Sequence, residues 1–230
     1  MVVHGGIRVN NGLKKFKEEN APRKGGGKFQ LENPKLLDIE IDGAVMAKIG
    51  SMIAYSGDIS FEQKSSGGIK GFLKKSVTGE GSIMMKAEGE GHLYLADQAK
   101  EVQVLELDED EEISVNGNDI LAFEKNVGWD IKMMKSFGGA AAGGLFNVFL
   151  EGPGYIAITT HGDPLVLPTP VRTDPDATVA WSSNVSPDIN TDRNLKGFLG
   201  RPSGETYQLE FPKEGGFVVV QPFEEVFPEE

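Results

Sequence analysis

Leu37-Asp38-Ile39-Glu40-Ile41 puts three aliphatic side chains on one face of an extended segment and two acids on the other. This period-two pattern, together with short apolar runs, dominates the chain. It predicts strands at 37–41, 45–48, 82–86, 102–107 and 207–211. Three further runs, Leu93-Tyr94-Leu95, Ile156-Ala157-Ile158 and Val218-Val219-Val220, are rich in β-branched or aromatic residues and are bounded by turn residues. A glycine stands shortly before each, as expected where the backbone needs positive φ or approaches another chain closely. A helical period is hard to find; 12–19 is the best short candidate. Asp42-Gly43 and Asn116-Gly117 read as hairpin turns. The prolines in 165–170 make that segment an edge strand or a linker.

The pattern repeats. Ala54-Tyr55-Ser56-Gly57-Asp58-Ile59 is echoed by Ala122-Phe123-Glu124-Lys125-Asn126-Val127 and by Ala180-Trp181-Ser182-Ser183-Asn184-Val185. An acid follows each alanine at the same spacing: Glu62, Asp130 and Asp188. Each copy then has a second half. Glu88-Gly89-Glu90-Gly91-His92-Leu93 matches Glu151-Gly152-Pro153-Gly154-Tyr155-Ile156, and Lys213-Glu214-Gly215-Gly216-Phe217-Val218 is one residue shorter. Two motifs in the same order, three times, point to internal triplication. The expected fold class is all-β: an antiparallel β-sandwich or barrel built from three internal repeats with pseudo-threefold symmetry, at about 36–98, 102–163 and 165–222. A unit of roughly 60 residues buries little surface alone, so one shared core is expected. Two sandwich-like halves are the alternative. Tyr55, Phe123 and Trp181 are expected in the core.

Ala47-Lys48-Ile49-Gly50-Ser51-Met52-Ile53-Ala54-Tyr55, following Leu31-Glu32-Asn33-Pro34-Lys35-Leu36-Leu37, resembles the opening of the altered-inheritance-of-mitochondria protein twenty-four family. The Gly-Ser-Met-x-Ala-Tyr element is its most recognisable piece, and the acid-Gly-x-Gly strands at Gly89 to Gly91 and Gly152 to Gly154 fit. The resemblance runs from about Phe29 to Phe223. It implies a β-sandwich fold related to the tryptophan-RNA-binding attenuation protein, and a link in eukaryotes to mitochondrial inner-membrane organisation. It supplies no catalytic motif. Residues 1–28 are then a variable basic arm, 29–223 a single β domain and 224–230 an acidic tail.

Charge and composition narrow the partners. The chain has 230 residues, a net charge of −12 and no cysteine, so thiolate metal sites, thiol nucleophiles and disulfides are excluded. Residues 1–35 carry eight basic against three acidic groups, so the remainder is strongly acidic. An acidic body repels phosphate backbones, and nucleic acid is not an expected partner. No apolar leader or spanning segment is seen, and a cytoplasmic protein is expected. The expected partners are proteins or further copies of the chain, with peripheral membrane contact as a second option.

Candidate chemistry is thin. The three histidines, His4, His92 and His161, show no metal-ligand spacing. Glu62, Asp130 and Asp188 form a candidate axial acid set, able to hold a hard cation if the symmetry brings them together. The uncharged run 136–150 makes Phe137, Leu145, Phe146 and Phe149 a candidate contact loop. No catalytic, cofactor-binding or metal residue is assigned, and no cofactor is expected. The leading expectation is a non-enzymatic scaffold or interaction protein, self-assembling or membrane-associated. The alternatives are a small-ligand or metal-ion binding module of double-stranded β-helix type and a cupin-like metalloenzyme.

Overall fold

The computed structural model describes residues 12–63, 84–133, 146–190 and 208–225. It contains one short α-helix, α1 (Leu13–Glu19), one 3-10 turn at Pro175–Ala177 and sixteen strands among these residues. The strands are β1 (Phe29–Asn33), β2 (Leu36–Lys48), β3 (Met52–Gln63), β4 (Met84–Leu95), β5 (Glu101–Leu107), β6 (Glu112–Asn116), β7 (Ile120–Glu124) and β8 (Gly128–Met133). They continue with β9 (Phe146–Glu151), β10 (Gly154–Thr160), β11 (Leu165–Pro168), β12 (Val171–Thr173), β13 (Thr178–Ser182), β14 (Asp188–Asn190), β15 (Gln208–Phe211) and β16 (Phe217–Val220). The fold is all-β, with antiparallel pairing throughout and no closed barrel. One sheet has the order β3-β4-β2-β7-β10-β5, with β1 also on β2; a second runs β11-β16-β13-β6-β9-β8; the third is β12-β15-β14. No helix among the described residues is long and apolar enough to cross a membrane.

One pairing register occurs three times. Tyr55 stands opposite Leu93, Phe123 opposite Ile156 and Trp181 opposite Val218. The preceding alanines face Tyr94, Ala157 and Val219. Each strand carries a bulge just before its alanine, leaving Ile53, Leu121 and Val179 as the extra residue. The amides of Ala96, Thr159 and Gln221 then donate to the carbonyls of Ser51, Asp119 and Ala177 at 2.9, 2.7 and 2.9 Å. In the second and third stretches the asparagine does the same work: Asn126 Nδ2 donates to the Pro153 carbonyl (2.5 Å) and Asn184 Nδ2 to that of Gly215 (2.9 Å). That bond holds a turn after which the chain leaves one sheet for the next, from β7 to β8 and from β13 to β14. In the first stretch Asp58 stands at that position and β3 runs straight on, paired with β4 to its end.

Asp42-Gly43 is not a hairpin turn. β2 passes through it and pairs with β4 over its length, with Gly43 opposite Gly89. The reason lies in β4. A Cβ on Gly89 would stand 1.9 Å from the Asp58 carbonyl oxygen, and one on Gly91 2.0 Å from that of Ser56. Side-chain-free backbone lets β3 and β4 approach there, and the long ladder outweighs a local turn preference. Asn116-Gly117 does turn, with the Asp119 amide donating to the Asn116 carbonyl. However, β6 and β7 then enter different sheets instead of pairing with each other.

Three apolar clusters form the interior. The central one takes Met46 and Met84, then Val115, Phe123, Val148 and Ile156, then Val179, Ala180 and Val219, so all three stretches feed it. A second lies around Ile39, Leu93 and Leu121, and a third around Trp181, Leu209 and Phe211. Complete burial of a ring such as Phe123 contributes roughly 1.5–3 kcal/mol.

Candidate functional site

The open edge of β3 is where the sequence pattern and the surface part company. Residues 52–58 are exposed without interruption: Met52 is 41% accessible, Ile53 62% and Tyr55 50%. The bulge at Ile53 turns an extra aliphatic residue outward. From 52 to 57 there is no charge and no proline, the devices that usually blunt a sheet edge. Tyr55 keeps one ring partner, Phe61, at 5.1 Å in an edge-on arrangement. Phe123 has the matching partner, Trp129, at 5.7 Å. The sequence pattern places Tyr55 in the core alongside Phe123 and Trp181, and the structure corrects this. Phe123 and Trp181 are covered on their outer edge: Met46 stands opposite Phe123 and Ser114 opposite Trp181. Nothing among the described residues pairs with the outer edge of β3.

A second feature is a buried charge network where the chain end meets the middle of the molecule. Lys100 is buried and reaches both Asp119 (Nζ to Oδ1 2.7 Å) and Glu225. Lys48 Nζ bonds Asp97 Oδ2 and the Asn118 carbonyl, both at 2.6 Å. His161 packs against Phe223 with the rings tilted and their centroids 4.2 Å apart, and its Nε2 lies 3.6 Å from Glu225 Oε1. Gln98 (φ 43) and Ala99 (φ 61) hold left-handed backbone between Asp97 and Lys100, a strain that aims both side chains inward. One ammonium thus serves two carboxylates. Burial pushes the Asp119 carboxyl up to about 7; Lys100 opposes the rise and Glu225 adds to it. Lys100 itself is raised, because the two acids outweigh its desolvation. The network ties the segment after β16 to the loop at 97–100 through Glu225. Nothing in the pattern marked these side chains, since they converge from a loop, a turn and the chain end.

The candidate acids are not brought together. Glu62 lies on β3, Asp130 on β8 and Asp188 on β14, each exposed and each in a different sheet. Among the described residues no three histidine, aspartate or glutamate side chains gather closely enough to hold a metal ion. Of the candidate contact loop, Phe137 and Leu145 lie outside the described residues. Phe146 begins β9, and Phe149 sits half-buried within it opposite Ser114 and Asp130. His92 has its Nδ1 3.0 Å from Asp38 Oδ1. Burial raises the Asp38 carboxyl, and His92 pulls it back.

The family model described as mitochondrial biogenesis AIM24 matches residues 29–223. A crystal structure of protein SPYM3_0169 from Streptococcus pyogenes superposes with a TM-score of 0.65 at 22% identity, covering 85% of this chain and 92% of that one. At that identity the likeness shows a shared fold. None of the curated proteins compared with the chain matches it.

Proposed function

This chain belongs to the mitochondrial biogenesis AIM24 family, and from that premise we propose that it is a non-enzymatic scaffold or interaction protein. It is built from three copies of one β unit in pseudo-threefold arrangement and left open at β3. The observation that carries the reading is the exposed, uncharged, apolar edge at 52–57, in a strand whose two counterparts are covered. A sheet edge of this kind binds by strand addition, in which backbone hydrogen bonds supply affinity and alternate side chains supply choice. The triple register, the three bulges and the three matching amide-to-carbonyl bonds support the reading of three copies. The cytoplasmic location expected from sequence is carried as part of this proposal.

The test compares the full chain with Ile53→Lys, which places a charge on the edge at an exposed position. The proposal expects wild type to recover a bound protein, or to self-associate, and the variant to do neither while keeping its melting temperature. Equal behaviour of the two would remove β3 from consideration. Peripheral membrane contact is the second reading. It rests on Leu13 (75% accessible) and Phe16 (46%) beside Lys14, Lys15 and Lys17 on α1. Co-sedimentation with anionic vesicles, lost in Phe16→Glu, would support it.

A further inference from the structure

We propose that a second copy of this chain lays its β12 along β3, head to tail, with Thr173 opposite Ala54, Arg172 opposite Tyr55 and Val171 opposite Ser56. This rests on the interaction reading above and names the partner of that edge.

The register comes from two joints inside the chain. The outer edge of β7 is covered by residues 45–47 of the preceding stretch: Ala47 opposite Ala122, Met46 opposite Phe123, Val45 opposite Glu124. The outer edge of β13 is covered by residues 113–115 in the same way: Val115 opposite Ala180, Ser114 opposite Trp181, Ile113 opposite Ser182. Each time, a strand of one unit caps the bulged strand of the next.

Among the described residues no strand caps β3 in this way. The matching capping strand of the third stretch caps no strand among the described residues. That strand is β12. Thr173 faces Leu209 on β15 as Val115 faces Val148 on β9 and as Ala47 faces Met85 on β4. β12 is the terminal strand of its sheet, and it pairs with β15 alone among the described strands. Among the described residues there is thus one donor strand without a strand to cap, β12, and one acceptor edge without a cap, β3.

Such a joint is heterologous and builds rings or open filaments. Adding β12 would return Tyr55 to the covered position that Phe123 and Trp181 already hold. It would also set the Arg172 guanidinium across from an aromatic ring, a favourable pairing. The other exposed apolar edge, β11 with Leu165 and Val166, carries Pro168, which has no amide to donate, and is the poorer acceptor.

The chain has no cysteine, so single cysteines report cleanly. Residues opposed in an antiparallel pair have Cα atoms about 4.5–5.5 Å apart, within disulfide reach. Tyr55→Cys mixed with Arg172→Cys should give a disulfide-linked dimer in mild oxidant, at least tenfold faster than Tyr55→Cys mixed with Leu165→Cys. Sedimentation of wild type over a wide concentration range should show assembly beyond the monomer, abolished by Ile53→Lys.

A cross-linking rate no greater than the Leu165→Cys control overturns the proposal, even where a variant folds poorly in isolation. A wild type that stays monomeric at every concentration also overturns it. If such a monomer still captures another protein through β3, the interaction reading stands and only the identity of the partner fails. A disulfide forming within single chains of the Tyr55→Cys/Arg172→Cys double variant at high dilution would show that the chain caps itself, which also overturns it.

Discussion

Tyr55 and Phe123 occupy the same register position on matching strands, opposite Leu93 and Ile156, yet Tyr55 is half exposed and Phe123 fully buried. A third strand lies beside Phe123, and none among the described residues lies on the outer edge of Tyr55. Alanine substitution should read this difference directly. Phe123→Ala and Trp181→Ala should each cost about 3–5 kcal/mol, and Tyr55→Ala under about 1 kcal/mol, in urea midpoints measured at low protein concentration. Equal costs at all three positions would contradict the difference in burial.

The glycines of β2 and β4 should rank by space. Gly91→Ala drives a Cβ into the Ser56 carbonyl and asks alanine to hold φ 147. Roughly 3 kcal/mol or more should be lost, from strain and overpacking together. Gly43→Ala also meets positive φ (107), but nothing lies within 4 Å of the added carbon. It should cost about 1–2 kcal/mol, from strain alone. The thermal midpoints of the two variants check the order.

Asn126 and Asn184 make one backbone-locking bond each, in different places. Each change to alanine should cost roughly 0.5–1.5 kcal/mol, about 2–4 °C per kcal/mol for a chain of this size. The double variant should show the sum within about 0.5 kcal/mol, since the sites share no partner. Asp58→Asn is the control; among the described residues no side-chain bond of this kind locks the chain there, and its effect should be small.

Asp119 sets a pH dependence. Its folded carboxyl sits near 7, above the ordinary 3.8, because it is buried. A raised acid stabilises the fold below its unfolded value, and that contribution is lost as pH rises through the folded one. Wild type should therefore lose stability relative to Asp119→Asn between about pH 4 and pH 7, and the difference should level off above. A tenfold difference in proton affinity between the folded and unfolded chain is worth about 1.4 kcal/mol. Glu225, Lys48 and Lys100 are retained in both proteins. A flat difference across that window would refute the assignment.

Lys100→Met should be the most damaging single change in the network, at about 3–5 kcal/mol, because it strands Asp119 and Glu225 without their cation. Combining it with Asp119→Asn should cost less than the two changes added, by at least about 1 kcal/mol. A double-mutant cycle in urea measures this.

Most of the strands and one recurring motif pair are legible in the residues alone, because alternation and glycine placement are local. The opposition of Tyr55 and Leu93, and its two echoes, follows from motifs legible in the residues alone. The covering of a strand is not local. Whether Tyr55 meets solvent depends on a neighbour from another stretch, and the three aromatic positions look alike in the chain. Asp42-Gly43 misled for the same reason: the turn preference was real, but a long partner strand outweighed it. The convergence of Lys100, Asp119 and Glu225 was decided by tertiary structure alone. A side chain's charge is written in the sequence, but the low dielectric and the two-to-one pairing that shift its proton affinity arise only once distant segments have met.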